Sequence, residues 1–146
     1  MAALHPQLAA DCKVLGRFPL CHLLLMNDRN YPWFILVPDR ADIREIYQLE
    51  ATDRNQLLDE SCLLSEFLMN EFNGDKLNVA ALGNQVPQLH LHHVVRHESD
   101  PAWPTPIWGK HPALPYSETA LEEIKTKFRI AGLKDFEVAV NGSISS

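Results

Sequence analysis

Apolar and polar segments alternate near the start of the chain in a way that predicts a hairpin. Residues Leu20–Asp28 are apolar and run into the polar turn Asn27–Asn30, and the aromatic and β-branched segment Trp33–Val37 follows. Two short apolar segments joined by a polar turn are typical of an antiparallel β-hairpin. Gly16 and Pro19 interrupt the pattern before it, so the first 20 residues are expected to be irregular or briefly helical.

Helical periodicity is strongest between Thr52 and Asn73. Four apolar residues in this segment are spaced seven, four and four apart and therefore share one buried face: Leu57, Leu64, Leu68 and Phe72. Thr52 is the predicted N-cap, and Gly74 follows the last turn. We expect this helix to belong to the core and to carry no chemistry.

The remaining segments complete a mixed fold. A helix is predicted over Ser117–Ala131, with Ser117 as its N-cap and Gly132 after its end, and a short helix over Ile43–Leu49. Further strands are predicted over Lys76–Leu82, Gln88–Arg96 and Phe136–Val140. Elements in this order do not repeat a βαβ unit. We therefore expect an α+β fold, in which two main helices cover one face of an antiparallel sheet of about five strands.

A long loop rich in proline and tryptophan precedes the last predicted helix. Ser99–Pro115 contains five prolines together with Trp103 and Trp108, and long loops of this kind are often functional. The tryptophans are expected either to pack against the sheet or a partner subunit, or to wall a base-binding pocket. The chain is predicted to form one domain over residues 1–146, with its core at about 20–97 and this loop and a helix at 98–146.

Charge and cysteine content narrow the classes of partner. The chain has 146 residues and a net charge of −6, with 13 basic and 19 acidic residues. This balance argues against binding of long nucleic acid, whereas a small phosphate-bearing ligand needs only a few oriented donors. Three cysteines without a CxxC pair suggest neither a disulfide framework nor a cysteine zinc site. With no signal-peptide pattern and no apolar run near the roughly 20 residues that cross a bilayer, we expect a cytoplasmic protein without membrane contact.

Histidines cluster in one predicted strand. Four of the seven histidines lie within Gln88–His97, in the order Gln-Leu-His-Leu-His-His-Val-Val-Arg-His. Because side chains alternate along a strand, His90 and His92 share one face and lie about 7 Å apart. The opposite face, which includes His93, is more apolar and is expected to meet the core.

Two neighbouring imidazoles suit three roles, which their spacing alone does not separate. A neutral imidazole nitrogen is a good nucleophile toward phosphorus, and its neighbour can hydrogen-bond the phosphoryl oxygens. An H-x-H pair on a strand also occurs in zinc sites, but zinc needs a third protein ligand and the sequence indicates none. In the third interpretation, both histidines are ordinary polar residues on a half-exposed face.

These residues resemble the histidine triad (HIT) superfamily of nucleotide hydrolases and transferases. The family signature is three alternating histidines with apolar residues between and after them, and this chain reads Gln-Leu-His-Leu-His over residues 88–92. Leu82–Pro87 is similar to the turn of glycine and polar residues before the triad, and Leu23–Pro38 is similar to the ribose-binding strand and the strand after it. The segment Asp100–Gly109 resembles the corresponding segment of a bacterial branch of the family.

The resemblance implies a covalent mechanism at a nucleoside α-phosphate, with a phosphoramidate or dinucleoside polyphosphate as substrate. His90 would attack the phosphorus to form a nucleotidyl-histidine, which water would hydrolyse, while His92 would contact the phosphate and help the leaving group to depart. The other implied nucleotide contacts are Asn27 or Asp28 at the ribose, and Asn78, Gly83, Asn84, Gln85 and Gln88 around the phosphate. The family implies a homodimer that acts on a small nucleotide, and we expect no metal or other cofactor.

Two positions depart from the family pattern. Gln88 stands at the first triad position, and a glutamine donates and accepts hydrogen bonds but carries no proton at neutral pH. Trp33 stands where many members have a fourth histidine, and an indole can stack but cannot relay a proton. Both departures bear on turnover more than on nucleotide binding. They motivate a second hypothesis, that of a nucleotide-binding or scaffold protein with little or no turnover.

Overall fold

An antiparallel sheet of six strands is the framework of the computed structural model, which describes residues 2–140. The strands are β1 (Cys12–Arg17), β2 (Cys21–Met26), β3 (Trp33–Pro38), β4 (Lys76–Ala80), β5 (Leu91–Arg96) and β6 (Glu137–Val138). They lie in the order β4-β5-β3-β2-β1-β6, which places β5 beside the β2–β3 hairpin. The last six residues of the predicted domain, 141–146, lie outside the described range.

The predicted hairpin is confirmed, and the histidine-bearing strand pairs with it. Leu23 of β2 lies opposite Leu36 of β3, and His92 of β5 lies opposite Ile35 of β3. All six residues of β3 are buried, and so are all six of β5. A strand that is buried on both sides is typical of the middle of a sheet covered on both faces.

Strand β1 was not expected, because the first 20 residues were predicted to be irregular or briefly helical. A six-residue helix, α1 (Pro6–Asp11), is present, and β1 follows it directly. The strand pairs with β2 across a bulge between Val14 and Gly16. A Cβ on Gly16 would collide with the backbone of Glu137 in β6, so the glycine that interrupts the pattern allows close strand approach here.

The long helix α2 (Ala51–Glu71) confirms the predicted periodicity. Its buried residues include three of the four predicted ones, and the fourth packs partly buried against the same core: Leu57, Leu64, Leu68 and Phe72. The N-cap is Glu50, without a side-chain capping bond, so the prediction of Thr52 is wrong. Leu49 is buried just before it, so the chain is already held against the core where the helix begins.

Helix α3 (Glu118–Ala131) follows its predicted signals. The Ser117 hydroxyl oxygen accepts a hydrogen bond from the amide of Ala120 at 3.1 Å, and Gly132 ends the helix in the left-handed conformation. The short helix expected over 43–49 is reduced to one 3-10 turn, Ile46–Gln48. Within the described residues, no helix is both long and apolar enough to cross a bilayer.

Helices α2 and α3 cover one face of the sheet, as predicted. The core on this face joins apolar residues of the central strands to those of the helices: Leu23, Leu25, Phe34, Leu36, Leu91, Val95, Leu64, Leu68, Leu121, Ile124 and Phe128. No helix was expected on the opposite face, but the tryptophans of the proline-rich loop were expected to pack against the sheet or a partner subunit, and Trp108 packs there against Trp33. Leu8 of α1 and Ala102 and Ile107 of the proline-rich loop pack there against Trp33 and Val94. The loop is therefore part of the core.

A buried ion pair attaches this loop to β5. The Arg96 guanidinium donates to both carboxylate oxygens of Asp100, at 2.8 and 3.1 Å, and to Oδ1 of Asn78 at 2.8 Å. The rings of Tyr31 and Trp103 lie 5.9 and 5.7 Å from it. Burial alone would raise the pKa of Asp100, but hydrogen bonds from Arg96 and two backbone amides hold it below its usual value.

We predict that Asp100→Ala lowers the free energy of unfolding by about 3–5 kcal/mol, because it leaves the Arg96 charge buried without its partner. Urea denaturation at pH 7 measures this change. Asp59→Ala is the control, since Asp59 is exposed on α2 and should change stability by less than about 0.5 kcal/mol. Equal stabilities of the two variants would contradict the assigned role of the pair.

Candidate active site

His90 lies just before β5 with one ring nitrogen held and the other free. Its Nδ1 lies 2.7 Å from the carbonyl oxygen of Gln88. A carbonyl oxygen only accepts, so Nδ1 carries the proton and Nε2 carries a lone pair. Nε2 has no hydrogen-bond partner within residues 2–140 and is not sealed from solvent, although the side chain as a whole is only 5% exposed.

The strand predicted over Gln88–Arg96 begins only at Leu91, so the prediction was wrong for its first three residues. They leave the ladder because the amide of Leu89 donates to the carbonyl oxygen of Ile43 at 2.9 Å instead of to a neighbouring strand. The predicted alternation of faces still holds. Leu89 packs in the core on the helix side, and His92 on the side of the proline-rich loop.

A glycine turn lies against the His90 ring. A Cβ on Gly83 would lie 2.8 Å from the carbonyl oxygen of Val86 and 3.0 Å from Cε1 of His90, so no larger residue fits without moving the backbone. A cavity of about 210 Å³ opens beside it. Its lining includes Gly83, Asn84 and Val86 of the turn together with Gln88, His90 and Arg44.

Both ring nitrogens of His92 are engaged. The indole N–H of Trp33 donates to Nδ1 at 3.0 Å, and Nε2 lies 2.8 Å from the carbonyl oxygen of Leu82. The ring lies 4.8 Å from that of His90, measured between centroids, and the edge of Trp108 packs on it at 5.3 Å. Burial lowers the pKa of His92 to about 4, so the ring is neutral near pH 7.

His93 lies on the opposite face and belongs to the core, as predicted for that face. Its Nδ1 lies 3.0 Å from the carbonyl oxygen of Leu91, and its Nε2 lies 2.7 Å from the hydroxyl of Ser61 in α2. Burial lowers the pKa of His93 to about 4. The pair ties α2 to β5 and has no access to a ligand, since Ser61 is 6% exposed and His93 is fully buried.

Gln88 forms hydrogen bonds both to His90 and to the N-terminal segment. Its backbone carbonyl holds His90, while its side-chain amide holds the N-terminal segment. Oε1 accepts from the amide of His5 at 2.8 Å, and Nε2 donates to the carbonyl oxygen of Ala3 at 3.0 Å. An amide offers a donor and an acceptor side by side, as one residue of an adjacent strand would. Gln85, in contrast, is exposed in the turn and makes no hydrogen bond within the described residues.

Besides Gln85, three residues implied by the family resemblance do not line the cavity at His90. Asn27 Oδ1 accepts from the amide of Tyr116 at 2.9 Å, and Asp28 Oδ1 accepts from the amide of Leu114 at 3.3 Å, so both are engaged by the proline-rich loop. Asn78 Oδ1 accepts from Arg96 as described above. The structure thus gathers His90, His92, Gly83, Asn84 and Gln88, but not these three.

Sequence reasoning missed Arg44 as part of this site. The bond between Ile43 and Leu89 brings it beside His90 from 46 positions away in the chain, and no spacing pattern signals such a contact. The Arg44 guanidinium makes no hydrogen bond or ion pair with any residue from 2 to 140. Among residues 2–140, no three or more histidine, cysteine, aspartate or glutamate side chains are grouped so that they could hold a metal ion.

Comparison with known proteins identifies the family. A model described as the HIT domain matches residues 7–99. The crystal structure of a histidine triad protein from Marinobacter aquaeolei VT8 is 55% identical, covers 89% of this chain and 95% of that one, and superposes with a TM-score of 0.87. No match was found among curated proteins.

Two further solved structures agree. Histidine triad proteins from Bradyrhizobium japonicum and Sinorhizobium meliloti 1021 are 41% and 40% identical and have TM-scores of 0.86. Each comparison covers 88% of this chain, and 96% and 95% of the respective relative. The fold and the histidine-bearing strand are those of the histidine triad class, and the chain belongs to the HIT domain family.

The two buried neutral histidines predict a loss of stability in acid. Their folded pKa of about 4 lies below the ordinary value of 6.5, so below pH 6.5 only the unfolded chain takes up these protons. Each histidine should therefore remove about 2 kcal/mol of unfolding free energy between pH 7 and pH 5.

His93→Gln tests this prediction, because glutamine keeps a donor and an acceptor but does not titrate. Urea denaturation at pH 7 and pH 5 should show a pH dependence smaller by about 2 kcal/mol than that of the unchanged protein. The difference between the two proteins isolates His93, since carboxylates contribute equally to the pH dependence of both. Parallel pH profiles would contradict the neutral state of His93.

Proposed function

We propose that the protein is a nucleotide hydrolase or transferase that acts at a nucleoside α-phosphate through a nucleotidyl intermediate on His90. One observation carries the proposal. The proton of His90 is held on Nδ1 by the carbonyl of Gln88, which leaves the Nε2 lone pair free beside a cavity and a glycine turn. An imidazole in this state is ready for nucleophilic attack without first losing a proton.

The reaction has two displacements at phosphorus. In the first, the Nε2 lone pair of His90 forms a P–N bond, and the bond to the leaving group breaks with its electron pair. The ring then carries a positive charge, which the carbonyl dipole of Gln88 stabilises through the Nδ1–H bond. In the second, water or another acceptor attacks the phosphorus and releases a proton to solvent, while the P–N bond breaks and its electron pair returns to Nε2.

Negative charge that develops on the phosphoryl oxygens needs donors close to His90. We propose that backbone N–H groups of the turn at Gly83 serve as these donors, because the turn lies against the His90 ring and a glycine lets the backbone approach a ligand closely. Asn84 adds a side-chain amide at the lining of the cavity, and Gln85 follows in the same turn. Donors fixed before the reaction stabilise such charge without reorganisation.

The space around His90 suits a substrate with groups on both sides of the phosphate. The cavity of about 210 Å³ shares the lining residues Arg44, Pro87 and Gln88 with a larger cavity of about 430 Å³. Arg44 offers a free cation in this shared lining, while Asp42 and Glu45 make the charge of the lining mixed. We propose a phosphoramidate or dinucleoside polyphosphate as the substrate.

The remaining contacts are carried over from the family resemblance as proposals. Asn27 or Asp28 would bind the ribose, which requires the amides of Tyr116 and Leu114 to release their oxygens. Asn78 would contact the phosphate in place of its bond to Arg96. We further propose that the protein is a cytoplasmic homodimer that acts on a small nucleotide.

Trapping the intermediate tests the function. The protein is incubated with an adenosine phosphoramidate or a dinucleoside polyphosphate labelled at the α-phosphate, and quenched samples are analysed for acid-labile label on protein. We predict label on the unchanged protein and turnover reduced at least about 100-fold in His90→Ala.

The matched control is His111→Ala, the same substitution at an exposed histidine of the proline-rich loop. It should label and turn over like the unchanged protein. Nucleotide binding without label or turnover would favour the binding or scaffold hypothesis. Turnover unaffected in His90→Ala would show that the nucleophile is another residue.

A further inference from the structure

We infer that Trp33 is a positioning residue, whose indole N–H holds His92 as the tautomer protonated on Nε2. His92 in turn holds the glycine turn that contacts the nucleophile. The inference deepens the proposed function and rests on it, because it assigns a role with respect to His90. It gives His92 a different role from the one the family resemblance implies.

The hydrogen bonds determine the tautomer. An indole nitrogen only donates, so Nδ1 of His92 must accept from Trp33. A neutral imidazole that accepts at one nitrogen carries its proton on the other, and Nε2 therefore donates to the carbonyl oxygen of Leu82 at 2.8 Å. A histidine in place of Trp33 could donate or accept, and would leave this choice open.

The bond to Leu82 is the polar attachment of the turn. No other hydrogen bond is made by any residue from 82 to 87 within the part of the chain that the structure describes. The side chain of Leu82 is 39% exposed, so it gives this end of the turn little apolar anchoring, and Val86 is buried only at the far end. His92 thus fixes the backbone immediately before Gly83, which packs on the His90 ring.

The surroundings of His92 keep it in this state. The Trp33 ring lies at a centroid distance of 5.7 Å and that of Trp108 at 5.3 Å, so aromatic rings enclose the imidazole. Burial is the main cause of the lowered pKa of His92, and a positive charge on the His90 ring, as in the proposed intermediate, would disfavour protonation of His92 further. A contact between His92 and a phosphate or leaving group would require loss of the Leu82 bond, since both nitrogens are occupied.

Trp33→Phe tests the first step, because it keeps an aromatic ring and removes the N–H. Nitrogen-15 NMR of labelled histidine should show His92 protonated on Nε2 in the unchanged protein and a mixture of tautomers in the variant. Turnover should fall by about 10–100-fold, the range found for outer partners that orient a functional histidine. A proton on Nδ1 of His92 in the unchanged protein would overturn the inference.

Trp108→Phe is the matched control. Its indole N–H is buried beside the same histidine but has no hydrogen-bond partner, so its removal breaks no bond. The His92 tautomer should be unchanged in this variant. An equal change of tautomer in both variants would show that ring packing, not the Trp33 hydrogen bond, sets the state of His92.

Two substitutions of His92 test the second step. Glutamine keeps a donor for the Leu82 carbonyl but cannot transfer a proton at neutral pH, whereas alanine keeps neither. We expect His92→Gln to retain turnover within about 10-fold, and His92→Ala to lose about 10–100-fold with kcat affected more than KM. Equal losses in both variants would overturn the positioning role and favour proton donation by His92.

The tautomer measurement needs no turnover, which separates this inference from the proposed function. If the unchanged protein neither labels nor turns over, the proposed function fails, and the NMR result still decides whether Trp33 fixes His92. If the protein turns over but Trp33→Phe changes neither tautomer nor rate, the inference fails and the function stands.

Discussion

The hydrogen bond of 2.7 Å from Nδ1 of His90 to the carbonyl of Gln88 determines what this imidazole can do. It places the ring proton on the side away from the cavity and directs the lone pair of Nε2 toward the space beside the glycine turn. The bond lies where the chain is outside the sheet, since the amide of Leu89 donates to the carbonyl oxygen of Ile43 and not to a neighbouring strand.

Coverage of both sheet faces holds this arrangement in place. Helices α2 and α3 pack behind His93, while α1 and the proline-rich loop pack on the face that carries His92. The departures from the family signature take part in the same arrangement. Gln88 joins the N-terminal segment to His90, and Trp33 supplies a donor where a histidine would leave the proton position undetermined. Neither change removes the lone pair on which the proposed attack depends.

Much of the fold was predictable because its signals are local. Alternation along β2 and β3 and the spacing of Leu57, Leu64 and Leu68 reflect faces that must be buried. Strand β1 and the packing of α1 on the second face were missed because they depend on contacts with distant segments. In the site, the shared face of His90 and His92 followed from the strand period, but the carbonyl partners and Arg44 did not. Every residue has a backbone carbonyl, so the sequence does not show which one will accept a hydrogen bond from a given side chain.

The stereochemical outcome at phosphorus tests the covalent mechanism most directly. Hydrolysis of a substrate that is chiral at the α-phosphorus, through sulfur and oxygen-isotope substitution, reports the number of in-line displacements. Each displacement inverts the configuration, so an intermediate on His90 predicts overall retention. Overall inversion would show a single attack by water and would contradict the role assigned to the His90 lone pair.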